Sequence, residues 1–581
     1  MIGNCRYAAL VSRAGEIVWC CLPRFDSEPI FGTLLDRREG GSFHIAPASG
    51  DAGEQAYIPN TNVLVTTFSG PDGMFRVTDF APRYFDAGGS QYPARLVRIV
   101  EPLQGAPMVS IRCAPRRGWS REIPGEVRGA GHVWYTGFAE PLRLTTGVPI
   151  EALDGRPFQL TCPLHFVLDW DTPLRGPLAA SCDDLLAKTV AYWRRWVKHC
   201  NLPQAWQSEV IRSALVLKLH CYEPTGAIVA SITTSLPKSP GSGRNWDYRY
   251  CWLRDASWVL AAFRRLGHFE ERESFIQYLL RIAGDHPDLA LQPLYDLHGN
   301  GKLEERVADG WPGYEGNRPV RVGNGAARQI QNDVYGEMVL ALAPLFLDER
   351  FEEERTPERF DLLARLADRA VSVAGTPDAG IWEQRVDPTV QTFSNLMCWA
   401  GAHRMGMVAR RHRPSVAAHY LDTGERIHEE ILRRGWSDPA SSFVSTYGGQ
   451  DLDAALLAMI PLRFLPAGDA RLAGTIEAIR GALGREGWLL RYGVDDGFGH
   501  PTVSFIMCTF WLAEALALTG QPEEARRTFT RALTACSPLG LLSEDYDSGE
   551  RRLWGNFPQA YSHLGVIHAA FAVSPAWPDV L

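Results

Sequence analysis

The sequence predicts a multidomain chain of β + α class, an N-terminal antiparallel β-sandwich followed by a C-terminal (α/α)6 barrel. Three observations carry that expectation. At 581 residues the chain exceeds what one hydrophobic core organises, so two domains are expected. Its first ~175 residues interleave short β-branched and apolar runs with clusters of Gly, Pro and Asp. After Asp183 the apolar spacing changes from two to three and four, the helical period.

Taken in order, Tyr7-Ala8-Ala9-Leu10-Val11 is bounded by polar residues and reads as a strand, and 62–68, 75–80, 95–100 and 158–168 continue the pattern. Many short strands separated by such turns suggest a sandwich. A stretch around 185–199, rich in Trp and basic residues, reads as a helical connector. The expected division is therefore 1–183, 184–202 and 203–581. Twelve amphipathic segments follow, with starts near Trp206, Trp252, Glu270, Gln329, Pro357, Phe393, Pro414, Asp451, Asp469, Val503, Pro522 and Pro558. Several carry Pro in the first turn, where its missing N–H costs nothing. Within one of them Val334, Met338, Leu342 and Leu345 recur at helical spacing. Twelve helices pair into six hairpins, the number that closes an (α/α)6 barrel.

Composition narrows the function classes. Apolar content of 45% and charged content of 22% are those of an ordinary globular protein. The net charge of −8 and the lack of a basic stripe argue against nucleic acid. The charged run 348–355 reads as a solvated face. The start, Met1-Ile2-Gly3-Asn4-Cys5-Arg6-Tyr7, has no leader pattern, and no run reaches the ~18 apolar residues of a membrane span. The twelve cysteines include no C-x-x-C pair, as expected of reduced, buried thiols in a cytoplasmic protein. Gly299-Asn300-Gly301 and Gly323-Asn324-Gly325 lack the βαβ setting of a dinucleotide site, and His428-Glu429 lacks the second His of a zinc helix.

Three segments carry chemistry: 244–255 (Arg-Asn-Trp-Asp-Tyr-Arg-Tyr-Cys-Trp-Leu-Arg-Asp), Gly380-Ile381-Trp382-Glu383-Gln384-Arg385 and Ser543-Glu544-Asp545-Tyr546-Asp547. All three fall at helix starts or in interhelical loops, where a rigid scaffold presents its site. Paired carboxylates beside flat aromatic surfaces suit cleavage of a glycosidic bond. One group protonates the leaving oxygen, one activates water, and ring faces meet the C–H faces of the sugar. From the residues alone, Glu383 is also readable as an acid favouring a helix start, and Asp545 and Asp547 compete with Glu544 as base. This chemistry requires no metal and no cofactor.

In this order the segments resemble glycoside hydrolase family 15, the inverting family of glucoamylases, glucodextranases and bacterial trehalases. The resemblance extends through 8–11, 21–27, 319–327 and 555–563, nearly end to end. It implies the same sandwich-plus-barrel fold. It also implies that Glu383 is the general acid, holding a proton near neutral pH in a pocket desolvated by Trp382, and that Glu544 is the general base. By the same resemblance Arg254 and Asp255 grip the 4- and 6-hydroxyls of a terminal glucose, Tyr248 and Trp252 border that glucose, and Arg491 is a further ligand. Trp311 and Tyr314, in a turn-rich loop, would form part of the leaving-group side. An inverting pair would sit roughly 6.5–9.5 Å apart and release β-glucose from an α-glucoside.

The reading is an exo-acting, glucoamylase-like hydrolase of α-linked gluco-oligosaccharides, with small oligosaccharides or disaccharides as its partners. The alternative is an α,α-trehalase of the same family; behind it stand an inverting disaccharide phosphorylase and a non-catalytic glycan-binding relative. Two departures bear on the leaving group: Asn395 stands where many bacterial relatives have Lys, and His500 replaces a Glu.

Overall fold

A computed structural model describes residues 1–170 and 172–580. The N-terminal part is two antiparallel sheets packed face to face. The first has seven strands: Ile2–Gly3, Ala8–Val11, Glu16–Cys21, Ser42–Pro47, Met108–Ala114 and Phe158–Gln159 in spatial order, with Pro29–Phe31 alongside Glu16–Cys21. The second has eight, ordered Gly125–Gly129, His132–Thr136, Leu142–Thr146, Leu164–Trp170, Arg95–Gly105, Gly73–Phe80, Leu64–Gly70 and Glu54–Tyr57. Alternation explains the layering: along Leu142–Thr146 every second residue is buried, and those side chains join Phe43, Ile45, Phe68 and Val77 in one core. A fully buried Arg98–Asp79 pair lies in that core, and Arg98 also donates to the Phe43 and Gly15 carbonyls, so the buried charges are satisfied.

One strand of the sequence reading is corrected. The run 158–168 is two strands, Phe158–Gln159 in the first sheet and Leu164–Trp170 in the second. Pro163 lies between them; with no N–H to donate, it ends one ladder and the chain crosses to the other sheet.

Helix α1 (Leu178–Lys198) joins the two parts and begins earlier than the 184–202 connector. Cys182 and Leu185 pack on the sheet, while Trp193 and Trp196 enter the barrel core. The barrel helices are α2 (Gln207–His220), α3 (Leu253–Leu266), α4 (Glu270–Asp285), α5 (Asp333–Leu347), α6 (Pro357–Val373) and α7 (Thr392–His412). They continue with α8 (Pro414–Arg434), α9 (Ala470–Leu483), α10 (Ile506–Leu518), α11 (Pro522–Leu533) and α12 (Ala560–Val573). Eleven expected helices appear as α-helices within a few residues; the eighth, expected near Asp451, is a short 3₁₀ helix, Ala454–Met459. Asp453 caps its start, and Pro461 follows too closely for a long α-helix.

The inner ring runs α3, α5, α7, the 3₁₀ segment, α10 and α12, which closes back onto α3. Inner helices α5, α10 and α12 are buried nearly all round, whereas outer α6, α8 and α11 bury one stripe each. This is the (α/α)6 barrel. Among the described residues, no helix is long and apolar enough to cross a membrane.

Candidate active site

The N-terminal ends of the inner helices meet at one mouth of the barrel. Arg254 and Asp255 lie in the first turn of α3, Phe505 just before α10 and Tyr561 in the first turn of α12. Glu383 sits in the loop leading into α7, and Glu544 between α11 and α12. The positive ends of helix dipoles favour carboxylates there.

A cavity opens at this mouth. Tyr248, Trp252, Arg254, Asp255, Trp382, Glu383, Arg491 and Glu544 all line it, so residues far apart in the chain converge. Lys238, Phe505, Gln559 and Tyr561 complete its wall. A second, outer chamber, set among loops, shares Lys238, Tyr248, Trp382, Glu383 and Arg491 with this first, inner one, which reaches the helix starts, and adds Arg244, Trp246, Arg385, Asp496 and Phe498. The two glutamates thus stand where the chambers meet or beside that junction.

Each glutamate has its own partners. The Trp252 indole N–H and Arg254 Nη2 both donate to Glu383 Oε1, the latter at 3.4 Å. Tyr248 Oη donates to Glu544 Oε1 at 2.9 Å, and Lys238 Nζ to the same oxygen at 3.1 Å. The Tyr248 and Trp252 rings meet edge to face, centroids 5.3 Å apart, so an aromatic pair spans the gap between the carboxylates. Three buried polar atoms at the cavity wall have no hydrogen-bond partner among the described residues: Glu544 Oε2, Gln559 Oε1 and Tyr561 Oη. Orphaned buried polar atoms are costly, and a hydroxyl-rich ligand would satisfy them.

Glu383 adopts φ of +59°, a left-handed conformation unfavourable for a residue with a Cβ. The Glu383 amide donates to the Gly380 carbonyl at 3.2 Å, and Gln329 Nε2 donates to the Glu383 carbonyl at 3.2 Å. Gln331 then links Gln329 to Arg254. A strained backbone held from several sides is the mark of a site whose geometry matters. Trp382 is fixed by its indole N–H, which donates to both oxygens of Asp453 at 2.9 Å.

Asp255 is buried 3.4 Å from Arg254 Nε. Burial pushes its carboxyl up to about 7; Arg254 opposes that shift, and Glu383 and Glu544 add to it. Arg491, also buried, lies 3.6 Å from Asp496 and over the Tyr492 and Phe505 rings.

Trp311 is a correction. It does not line the cavity: its indole N–H donates to the Trp119 carbonyl at 2.9 Å, its ring packs edge to face on Trp119, and Arg121 lies over it. Gly32 approaches the same ring, so this Trp packs the barrel loop against the sandwich. Tyr314 likewise meets Trp554 and accepts from Arg552. His563 is buried between the Leu542 amide and Ser213. Asn395 bonds Gly375 N and the Gln391 carbonyl, away from the chambers; His500 is exposed, on the Gly493 carbonyl. Lys238 lies outside the three segments singled out from the sequence, and Phe498 was noted only as a neighbour of His500; Arg244 and Arg385 stand at the ends of two of those segments but were given no role there.

The family model for glycosyl hydrolases family 15 matches residues 205–571, and a trehalase-like N-terminal model matches residues 1–151. The chain belongs to glycosyl hydrolase family 15. It is therefore a glycoside hydrolase. A trehalase of Thermoplasma volcanium is 34% identical over 98% of this chain and 92% of that protein. A trehalase of Mycolicibacterium smegmatis is 32% identical over 98% of this chain and 90% of that protein. Among solved structures, a bacterial glucoamylase complexed with acarbose superposes with a TM-score of 0.68 at 12% identity, covering 98% of this chain and 95% of that one; that likeness is one of fold.

Proposed function

We propose that this family 15 hydrolase cleaves α,α-trehalose by inversion, with Glu383 as general acid and Glu544 as general base. The observation that carries the substrate is the near full-length similarity to proteins named trehalase, at 34% and 32% identity. It moves the reading from glucoamylase-like action to the trehalase alternative. Two chambers meeting at the carboxylates support a substrate of two sugar units.

In this reading the inner chamber takes the glucosyl unit whose C1 is attacked, with Arg254 and Asp255 gripping its hydroxyls and Tyr248 and Trp252 bordering the ring. The outer chamber takes the second glucose as leaving group. Water held on Glu544 Oε2 attacks C1 and gives its proton to that carboxylate. The C1–O bond breaks on the opposite face, and the departing oxygen takes the proton of Glu383. Charged hydrogen bonds from Arg254 and Arg491 fix the sugar for that displacement.

The test is glucose release from trehalose, maltose and isomaltose in separate, phosphate-free reactions. Trehalose turnover at least about tenfold above the others is expected. Faster turnover of maltose or isomaltose would restore the glucoamylase-like reading, and a requirement for phosphate with glucose 1-phosphate as product would make the protein a phosphorylase.

A further inference from the structure

We propose that Lys238 is a positioning residue for hydrolysis: with Tyr248 it fixes one oxygen of Glu544, so that the other oxygen alone meets the attacking water. The inference rests on the base role of Glu544 given above. Nothing in the motifs pointed to Lys238, which lies in the loop after the strand Ala227–Ile228, ahead of the Arg244–Asp255 segment.

Three observations carry it. Lys238 Nζ and Tyr248 Oη converge on the same atom, Glu544 Oε1, at 3.1 and 2.9 Å. Glu544 Oε2 is buried, and neither Lys238 nor Tyr248 donates to it; its neighbour is the Asp545 carboxyl. Lys238 is itself buried, at 9% exposure, and lines both chambers, so its ammonium is held at the carboxylate rather than in bulk water. With one donor on Oε1 the carboxylate could still rotate about that bond; a second donor on the same oxygen restricts that rotation. Restricting it aims Oε2, which is the atom a general base must present to water.

Charge adds to position. Around Glu544 stand Lys238 and Tyr248 from one loop, Arg491 from the segment after Trp488–Leu489, Asp545 on its own strand, and Asp255 and Glu383 across the cavity. Asp545 is pushed well above the ordinary aspartate range by burial first and by Glu544 next, with Lys238 and Arg491 opposing. Burial and Arg491 push Lys238 below the usual lysine range, while Glu544 and Asp545 pull it back. The ammonium therefore offsets the repulsion between the adjacent acids. Removing it would leave Glu544 facing Asp545 with one cation instead of two.

The experiment compares Lys238→Met, Lys238→Arg and Glu544→Gln with the parent enzyme on trehalose, reading kcat, KM and the kcat–pH profile. Lys238→Met is expected to lower kcat about 10- to 100-fold with KM within about threefold, and to move the acid limb of the kcat profile upward by about one pH unit. Lys238→Arg, which keeps the charge, should return that limb to its original position. An unmoved limb with unchanged kcat in Lys238→Met would overturn the proposal. If Lys238→Met fails to fold, as read by its thermal melt, Lys238→Gln replaces it: an upward limb supports the role and an unmoved limb overturns it. Glu544→Gln separates the two levels. If it keeps more than about a tenth of kcat, the base reading itself is wrong; if it is inactive while Lys238→Met behaves as the parent, only the Lys238 role fails.

Discussion

The inner and outer chambers share one wall but are built differently. Apart from Glu544 and the loop residues that the two chambers share, the inner chamber takes its polar groups from the starts of inner helices or the residues beside them: Trp252, Arg254 and Asp255 at α3, Gln559 and Tyr561 at α12. The outer chamber takes its distinctive side chains from loops, with Arg244 bonded to Asp496 at 2.6 Å and Arg385 over the Trp246 ring at 4.2 Å. Those loops hold each other rather than a helix. A chamber anchored on helix ends suits the sugar whose bond is broken, since reaction geometry tolerates little displacement. A chamber of interlocked loops suits the selection of the second sugar.

That contrast orders the expected effects of substitution. Glu383→Gln and Glu544→Gln should each lower kcat on trehalose by about 10³-fold or more while calorimetry shows binding within a few fold; activity near that of the parent in either would break the inner assignment. Arg254→Met should cost about 10²-fold in kcat/KM, because it removes the partner of both Glu383 and Asp255 at once. Arg385→Ala, in the outer chamber, should cost only about tenfold, mostly in KM, and should narrow the preference for trehalose over maltose. If Arg385→Ala instead collapses kcat as Arg254→Met does, the division of labour between chambers is wrong.

Trp311→Ala should act on neither chamber. Deleting a buried Trp costs on the order of 3–5 kcal/mol, so thermal inactivation should come at lower temperature while KM at low temperature stays within about twofold.

A further effect, on stability against pH, concerns Asp255. Its folded pKa, about 7, lies above the ordinary value of 3.8, so its contribution to stability is full below about pH 4 and is lost as pH rises through 7. Asp255→Asn removes that loss. The variant should melt above the parent at pH 8, by on the order of 2–4 kcal/mol of stability, with the gap closing at pH 4–5, even though it binds sugar poorly. A gap independent of pH would show that Asp255 is not carrying a buried charge.

The same contrast explains what the sequence disclosed. Helix ends announce themselves locally, through Pro at the first turn of α6, α8 and α11 and through apolar spacing, so the barrel was legible, whereas the roles given to the inner-chamber residues came from the resemblance of their segments to family 15 and from no helix signal. The 3₁₀ segment Ala454–Met459 was marked correctly but its type was not, because a short run buried on every face has no period to read. Trp311 went to the wrong place because a Trp among Gly and Pro shows that a loop packs, not what it packs on; its partner, Trp119, belongs to the other domain. Arg244, Arg385 and Phe498 come together only through tertiary contacts between loops, and Lys238 reaches Glu544 across 306 positions of sequence. No local signal encodes such meetings.

The central claim is that Glu383 and Glu544 act as an inverting pair on trehalose. Proton NMR of the first glucose released from trehalose, before mutarotation, tests it most directly. Inversion at the attacked C1 with retention in the departing sugar predicts β- and α-glucose in equal amounts at the earliest times. Only α-glucose at those times would mean retention and would contradict the roles given to both glutamates.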